Sequence, residues 1–176
     1  MLRLTRIVRA LASWQVDLAA IAAALILLQV SLDLILRYVF AAPIQLSTEI
    51  VAYYYLVPLI FLPLMLVELE DHHITTDLFF ARFPARVQAL LLDLGSVLSI
   101  LLYLLLAWFS LKAAISATHK GEVVMGAQLL PIWPMRWLLP FAFVMAALGA
   151  LIALARRHLI GPEAQPPHNP EDAIYE

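Results

Sequence analysis

Gln29, Asp33 and Arg37 recur at intervals of four, and on a helix that spacing stacks an amide, a carboxylate and a guanidinium along one face. Asp33 precedes Arg37, the order in which an i to i+4 pair also agrees with the helix dipole. Three uses fit this pattern. The pair can satisfy itself and fix a helix at a membrane interface; the stripe can face another helix or another protein; or it can take part in moving an ion. The last use needs further acidic or His residues aligned at mid-membrane, and the sequence supplies few. Glu49 follows QLST, where Ser47 or Thr48 can cap a helix and a first-turn carboxylate favours the dipole. Its alternative role is a contact with Arg37 or with a partner.

Other residues with chemical potential lead to less. Asp93, beyond Arg86, has two destinations, the membrane interface or a neighbouring helix. Five histidines raise the question of metal or haem. His72 and His73 close the run VELEDHH, which reads as a solvated polar loop containing Glu68, Glu70 and Asp71, while His119, His158 and His168 fall outside the apolar stretches. Haem in a membrane needs His ligands facing one another across helices, and this placement does not provide them. No nucleophile elbow, Walker loop or HExxH motif is present. No catalytic residue, metal ligand or cofactor site is expected in the chain.

The elements that position these residues follow from composition. Of 176 residues, 64% are hydrophobic and 14% charged, more apolar surface than a soluble domain of this size can hide. The chain therefore belongs in a membrane. A net charge of −2 and dispersed basic residues give no footprint for nucleic acid. The absence of cysteine removes disulfides, thiolate metal sites and cysteine nucleophiles.

Four apolar stretches reach the length of about 20 residues that a spanning helix needs: 18–40, 48–67, 87–113 and 134–154. Lipid offers backbone groups no partners, so these are helices. The expected fold is all-α, a polytopic membrane protein with four transmembrane helices and short interfacial helices. Residues 1–16, with Arg3, Arg6 and Arg9 on one helical face, are expected to lie on the membrane. The run from Leu18 to Leu36 exceeds a signal-peptide core and is read as a retained span. Residues 17–157 form the transmembrane domain. Pro58 and Pro63 should kink its second helix, and the third apolar run extends weakly to Ala117 by tilt or protrusion. Between spans two and three, ITTDLFFARFPARVQ suits an interfacial segment capped by Thr76 or Asp77. The segment 158–176, rich in Pro and acidic residues, is expected to be a disordered tail.

Placing the N-terminus in the cytoplasm puts Arg3, Arg6, Arg9, Arg82, Arg86, Arg156 and Arg157 inside, against Arg37, Lys112, Lys120 and Arg136 outside. Both termini are then cytoplasmic. Tyr38, Tyr53 to Tyr55, Trp133 and Trp137 gather at the outer interface, Trp14 with Phe79, Phe80 and Phe83 at the inner one.

Several stretches fit one pattern together: LRYVFAAPIQLSTEI joining spans one and two, DHHITTDLF leading toward an FP before span three, and GAQLLPIWPMRWLLP opening span four. In this order, with four spans over roughly residues 14–157, the chain resembles the small membrane subunit, the DctQ type, of tripartite ATP-independent periplasmic (TRAP) transporters. It departs from the pattern at Leu46, where the family often has Trp before an acidic pair, and in the acidic VELEDHH, where the family's loop is commonly basic.

The resemblance implies a non-catalytic scaffold of a secondary active importer in the bacterial cytoplasmic (inner) membrane. In that family a larger membrane subunit carries the substrate and sodium sites, and a periplasmic binding protein delivers an organic anion such as a dicarboxylate or sialic acid. Sodium would then bind the partner rather than this chain. Gln29, Asp33, Arg37 and Glu49 are the expected partner-contact residues. Two other readings stand beside it: a small membrane enzyme acting on lipid or quinone, and an accessory subunit of an unrelated complex.

Overall fold

A computed structural model describes residues 2–69, 84–125 and 129–160. Helix α1 runs from Leu2 to Val39 without a break. Nothing between Arg9 and Leu18 interrupts it, because ALASWQVD contains neither Gly nor Pro. The boundary drawn at residue 17 therefore marks a change in composition within one helix. At 1.5 Å per residue such a helix is about 57 Å long, well beyond a hydrocarbon core of about 30 Å.

The second span, Ser47–Leu69, is assembled from pieces. A short α2 (Ser47–Ile50) passes into a π-helical turn (Val51–Tyr55), then α3 (Leu56–Phe61), a break at Leu62 and Pro63, and α4 (Leu64–Leu69). The expected disturbance by proline takes this form. Pro58 has no N–H to give the Tyr54 carbonyl and its ring crowds that carbonyl. The turn before it widens, and Leu56 N–H bonds back to Val51 O.

Helix α5 (Ala85–Lys120) forms the third span and continues past Ala117. Gly121, at φ 58°, ends it in the left-handed conformation that favours glycine, with His119 and Lys120 at the negative end of the dipole. A two-stranded hairpin follows, β1 (Val123–Met125) antiparallel to β2 (Leu129–Pro131), with Val124 opposite Leu130. Then come α6 (Trp133–Arg136) and α7 (Leu138–Ile160), which make the fourth span. Helix α7 carries His158, Leu159 and Ile160, so the helix outlasts the boundary drawn before His158. The rest of the expected tail with His168, and residues 70–83, which hold Glu70, Asp71, His72, His73 and most of the expected ITTDLFFARFPARVQ segment, lie outside the described residues. Ala85 to Gln88 of that segment already belong to α5.

The first span packs on the second, the second on the fourth and the fourth on the third. The fourth span is thus central, with 39% of its most apolar window buried, against 0% for the third. Small residues let the backbones approach. Ala107, Ala114 and Ala117 of α5 and Ala142, Ala146 and Ala150 of α7 are all buried. Gly149 faces α4 so closely that a Cβ there would stand 2.9 Å from Met65 O. Large apolar side chains such as Leu28, Leu98 and Leu101 point outward, as a lipid-facing surface requires.

Candidate partner-contact site

The expected stripe exists, and most of it turns toward the chain's own loop. Asp33 is 8% exposed although it is charged. Its Oδ2 accepts from Arg37 Nη2 at 3.0 Å, and its Oδ1 accepts from the Ile44 N–H at 2.7 Å. One turn deeper, Gln29 Nε2 donates to both Ser47 O and Ser47 Oγ at 3.4 Å. These bonds hold residues 40–47 against α1. Two non-glycine residues there, Ala41 at φ 49° and Leu46 at φ 62°, occupy the left-handed region. That conformation costs roughly 1–2 kcal/mol per residue, and the side-chain ties offset it.

The capping expectation needs correction. Leu46 occupies the N-cap position of α2, and no side chain caps that helix. Ser47 is buried, one residue inside the helix, with its hydroxyl facing Gln29. Glu49 does lie in the first turn of α2. It forms no ion pair among the described residues, so the Arg37 to Glu49 contact is not made; Arg37 pairs with Asp33, and its side chain is 54% exposed.

The same end of the molecule carries a second set of ties. Tyr54 Oη donates to Pro131 O, linking the π-helical turn to the hairpin. Arg136 Nη2 meets Glu122 Oε1 at 2.6 Å across the hairpin base. Trp137 Nε1 donates to Thr118 Oγ1 at 3.0 Å, joining the third and fourth spans. Tyr54 and Trp137 thus lie at one end, as the aromatic pattern anticipates.

At the opposite end Asp93 reaches a neighbouring helix, the second of its two alternatives, near the last turn of α7. Its Oδ1 is 3.7 Å from Arg157 Nη1 and its Oδ2 is 3.3 Å from His158 Nε2. Arg157 Nη1 also lies 3.5 Å from Ser96 Oγ.

Glu68 overturns a further expectation. Read in the sequence as part of a solvated loop, it belongs to α4 and is 4% exposed, and its Oε1 accepts from Tyr103 Oη at 2.7 Å. The sequence carries a signal for this. Ser96, Tyr103 and Ser110 stand seven apart, polar groups on one face of an otherwise apolar helix. Among the described residues, no group of three or more His, Cys, Asp or Glu is placed to hold a metal ion.

No curated protein and no solved structure matches the chain. A family model does, that of the tripartite ATP-independent periplasmic transporters, DctQ component, over residues 26–159. The match contains Gln29, Asp33, Arg37, Glu49, the hairpin, the second and third spans and the fourth as far as Leu159. Together with four helices long and apolar enough to cross a membrane, it makes this chain a membrane component of a TRAP transporter and a member of the DctQ family.

Proposed function

We propose that the chain is the small, non-catalytic scaffold subunit of a sodium-coupled TRAP importer for an organic anion. In this reading a large membrane subunit binds sodium and substrate, a periplasmic protein delivers the substrate, and this chain holds the large subunit in place. The chain lies in the bacterial inner membrane with both termini cytoplasmic and the hairpin periplasmic. No cofactor is bound by the chain itself.

The observation that carries the reading is the family match over residues 26–159. The arrangement of polar groups supports it. Asp33, Glu68 and Asp93 are each engaged by a neighbouring span or loop, which suits a frame. The second span is interrupted at Leu62 and Pro63, whereas a transport pathway asks for a pair of broken helices whose ends converge on a ligand near the midplane. At the corner that Gln29 and Asp33 organise, Arg37, exposed, and Glu49, half-buried, are the charges not taken up by the loop ties, and they are the proposed contacts with the large subunit or the docked binding protein.

Purification of the tagged chain in mild detergent at native expression, followed by mass spectrometry, tests the reading. A large polytopic subunit recovered in near one-to-one ratio is expected. A chain recovered alone and homogeneous, under conditions that preserve membrane complexes, would overturn it. For the corner, the double variant Arg37→Gln with Glu49→Gln is expected to lower recovery of the large subunit; unchanged recovery and uptake would remove those residues from the proposed contact.

A further inference from the structure

Glu68 and Tyr103 meet deep in the helix assembly, away from the corner described above. Gly149 gives the depth, since a Cβ added to it would lie 3.3 Å from Glu68 Cβ. Along α7 at 1.5 Å per residue, Gly149 is about 12 Å from Arg157 and about 18 Å from Trp137. The carboxyl group of Glu68 therefore lies within the apolar thickness of the assembly. An ionisable side chain at such depth is costly and calls for a reason.

The surrounding packing supplies one. Phe143 of α7 touches Phe61 edge to face at 5.5 Å and stacks on Tyr103 at 6.5 Å, so one ring joins the second, third and fourth spans. On α7 the buried residues Ala142, Ala146 and Ala150 repeat every four residues, and α5 buries Ala107, Ala114 and Ala117. A seam that repeats by the turn resembles itself when one helix slides by a turn. Along the alanine stretch, shape alone distinguishes neighbouring registers weakly.

A polar pair breaks this degeneracy, because it is satisfied in one register and separated in the others. Asp93 with Arg157 and Thr118 with Trp137 also join α5 to α7, but they lie toward the ends of the spans. There, water or lipid headgroups can replace a lost partner. Between those levels they cannot, and a one-turn slip of about 5.4 Å carries Tyr103 Oη out of reach of Glu68.

We infer that Glu68 and Tyr103 form a register lock, which selects one axial position of the third span against the second and fourth. The pair acts on conformational uniqueness more than on overall stability. Replacing a buried polar pair by apolar side chains commonly leaves stability unchanged or raised. The inference stands independently of which complex the chain joins.

The chain contains no cysteine, so nitroxide labels attach only where cysteines are introduced. Leu56→Cys in the second span and Leu94→Cys in the third suit the purpose, being 42% and 62% exposed and, by the helical rise, roughly 18 Å and 14 Å from the level of Glu68 and Tyr103 along antiparallel spans. Pulsed electron paramagnetic resonance on the full-length chain in lipid nanodiscs then reads axial slip directly. One narrow distance is expected in the labelled parent and in Glu68→Gln, whose amide oxygen still accepts from Tyr103. Tyr103→Phe, and Glu68→Leu combined with Tyr103→Phe, are expected to add a second population displaced by about 5 Å. The double variant should show this while keeping the parent's thermal midpoint or exceeding it. A single narrow distance at the parent value in Tyr103→Phe would overturn the inference. That single variant decides the question should the double variant fail to fold.

Discussion

Asp33 Oδ1 accepts a hydrogen bond from the Ile44 N–H at 2.7 Å, so a carboxylate in α1 holds the backbone of the loop that leads into the second span. The partner group is a main-chain amide next to Pro43, in a stretch flanked by two left-handed residues. Arg37 pairs with the other carboxylate oxygen from a mostly exposed position. The two contacts of Asp33 therefore differ in weight.

This difference fixes the order of three variants. A hydrogen bond to a charged acceptor contributes about 1.5–3 kcal/mol when partly buried. Asp33→Ala is expected to destabilise the chain by about 2 kcal/mol, through the freed Ile44 amide and the strained loop. Asp33→Asn keeps an acceptor and should cost about half as much. Arg37→Ala removes an exposed ion pair, a loss of under about 1 kcal/mol. Thermal unfolding in detergent checks the order; an effect of Arg37→Ala as large as that of Asp33→Ala would show that the ion pair, and not the loop amide, is what Asp33 serves.

Gly149 is set by the packing of α7 on α4. A Cβ at this position would meet Met65 O at 2.9 Å and Glu68 Cβ at 3.3 Å. The first of these is backbone and cannot turn aside, so the two helices must move apart. Gly149→Ala is expected to cost about 1–3 kcal/mol, the usual range for overpacking, despite the better helix propensity of alanine. Gly95, where a Cβ would meet nothing within 4 Å, is the control. Gly95→Ala should stabilise or leave the thermal midpoint unchanged.

The four spans and the stripe of Gln29, Asp33 and Arg37 are legible in the sequence, because both depend on local periodicity. Length and hydropathy give a spanning helix, and a spacing of four gives a shared face. The partners of the stripe are not legible, since the Ile44 amide and Ser47 meet it only through the path of the loop. Glu68 is misplaced for a related reason. Its neighbours Glu70, Asp71 and His72 give the whole run a polar character, while burial depends on Tyr103 from a different span. The hairpin escapes notice because its strands have three residues each, too few for an alternating pattern.

The hairpin base offers a separate expectation. Glu122 and Arg136 lie 2.6 Å apart, with their side chains 34% and 43% exposed, and exposed pairs contribute at most about 1 kcal/mol. Glu122→Gln should lower the stability of the chain by less than about 1 kcal/mol. The Ile132 N–H, which donates to Glu122 O at 3.0 Å, should nonetheless exchange faster. Thermal unfolding checks the first outcome and hydrogen exchange resolved to this peptide the second; unchanged exchange at Ile132 would mean that the backbone ladder holds the hairpin without the ion pair.

The π-helical turn sets the aim of Tyr54. In that turn Leu56 N–H reaches back to Val51 O, one residue farther than in an α-helix. The extra residue changes the angular position of every side chain before it relative to α3. Tyr54 in this position donates to Pro131 O, from the second span to the second strand of the hairpin. Pro58 keeps the turn wide, since its ring and its missing N–H both disfavour the ordinary bond to the Tyr54 carbonyl. Pro58→Ala restores a donor, and the π-helical turn is expected to relax to α-helix. Tyr54 would then rotate away from Pro131. Tyr54→Phe removes the same hydrogen bond and leaves the turn intact. Hydrogen exchange in β2 and infrared bands of the helix backbone separate the two effects. Both variants should loosen β2, and only Pro58→Ala should change the helix bands. Loosening of β2 in Tyr54→Phe alone would show that the turn survives without its proline and that Tyr54 keeps its aim by packing.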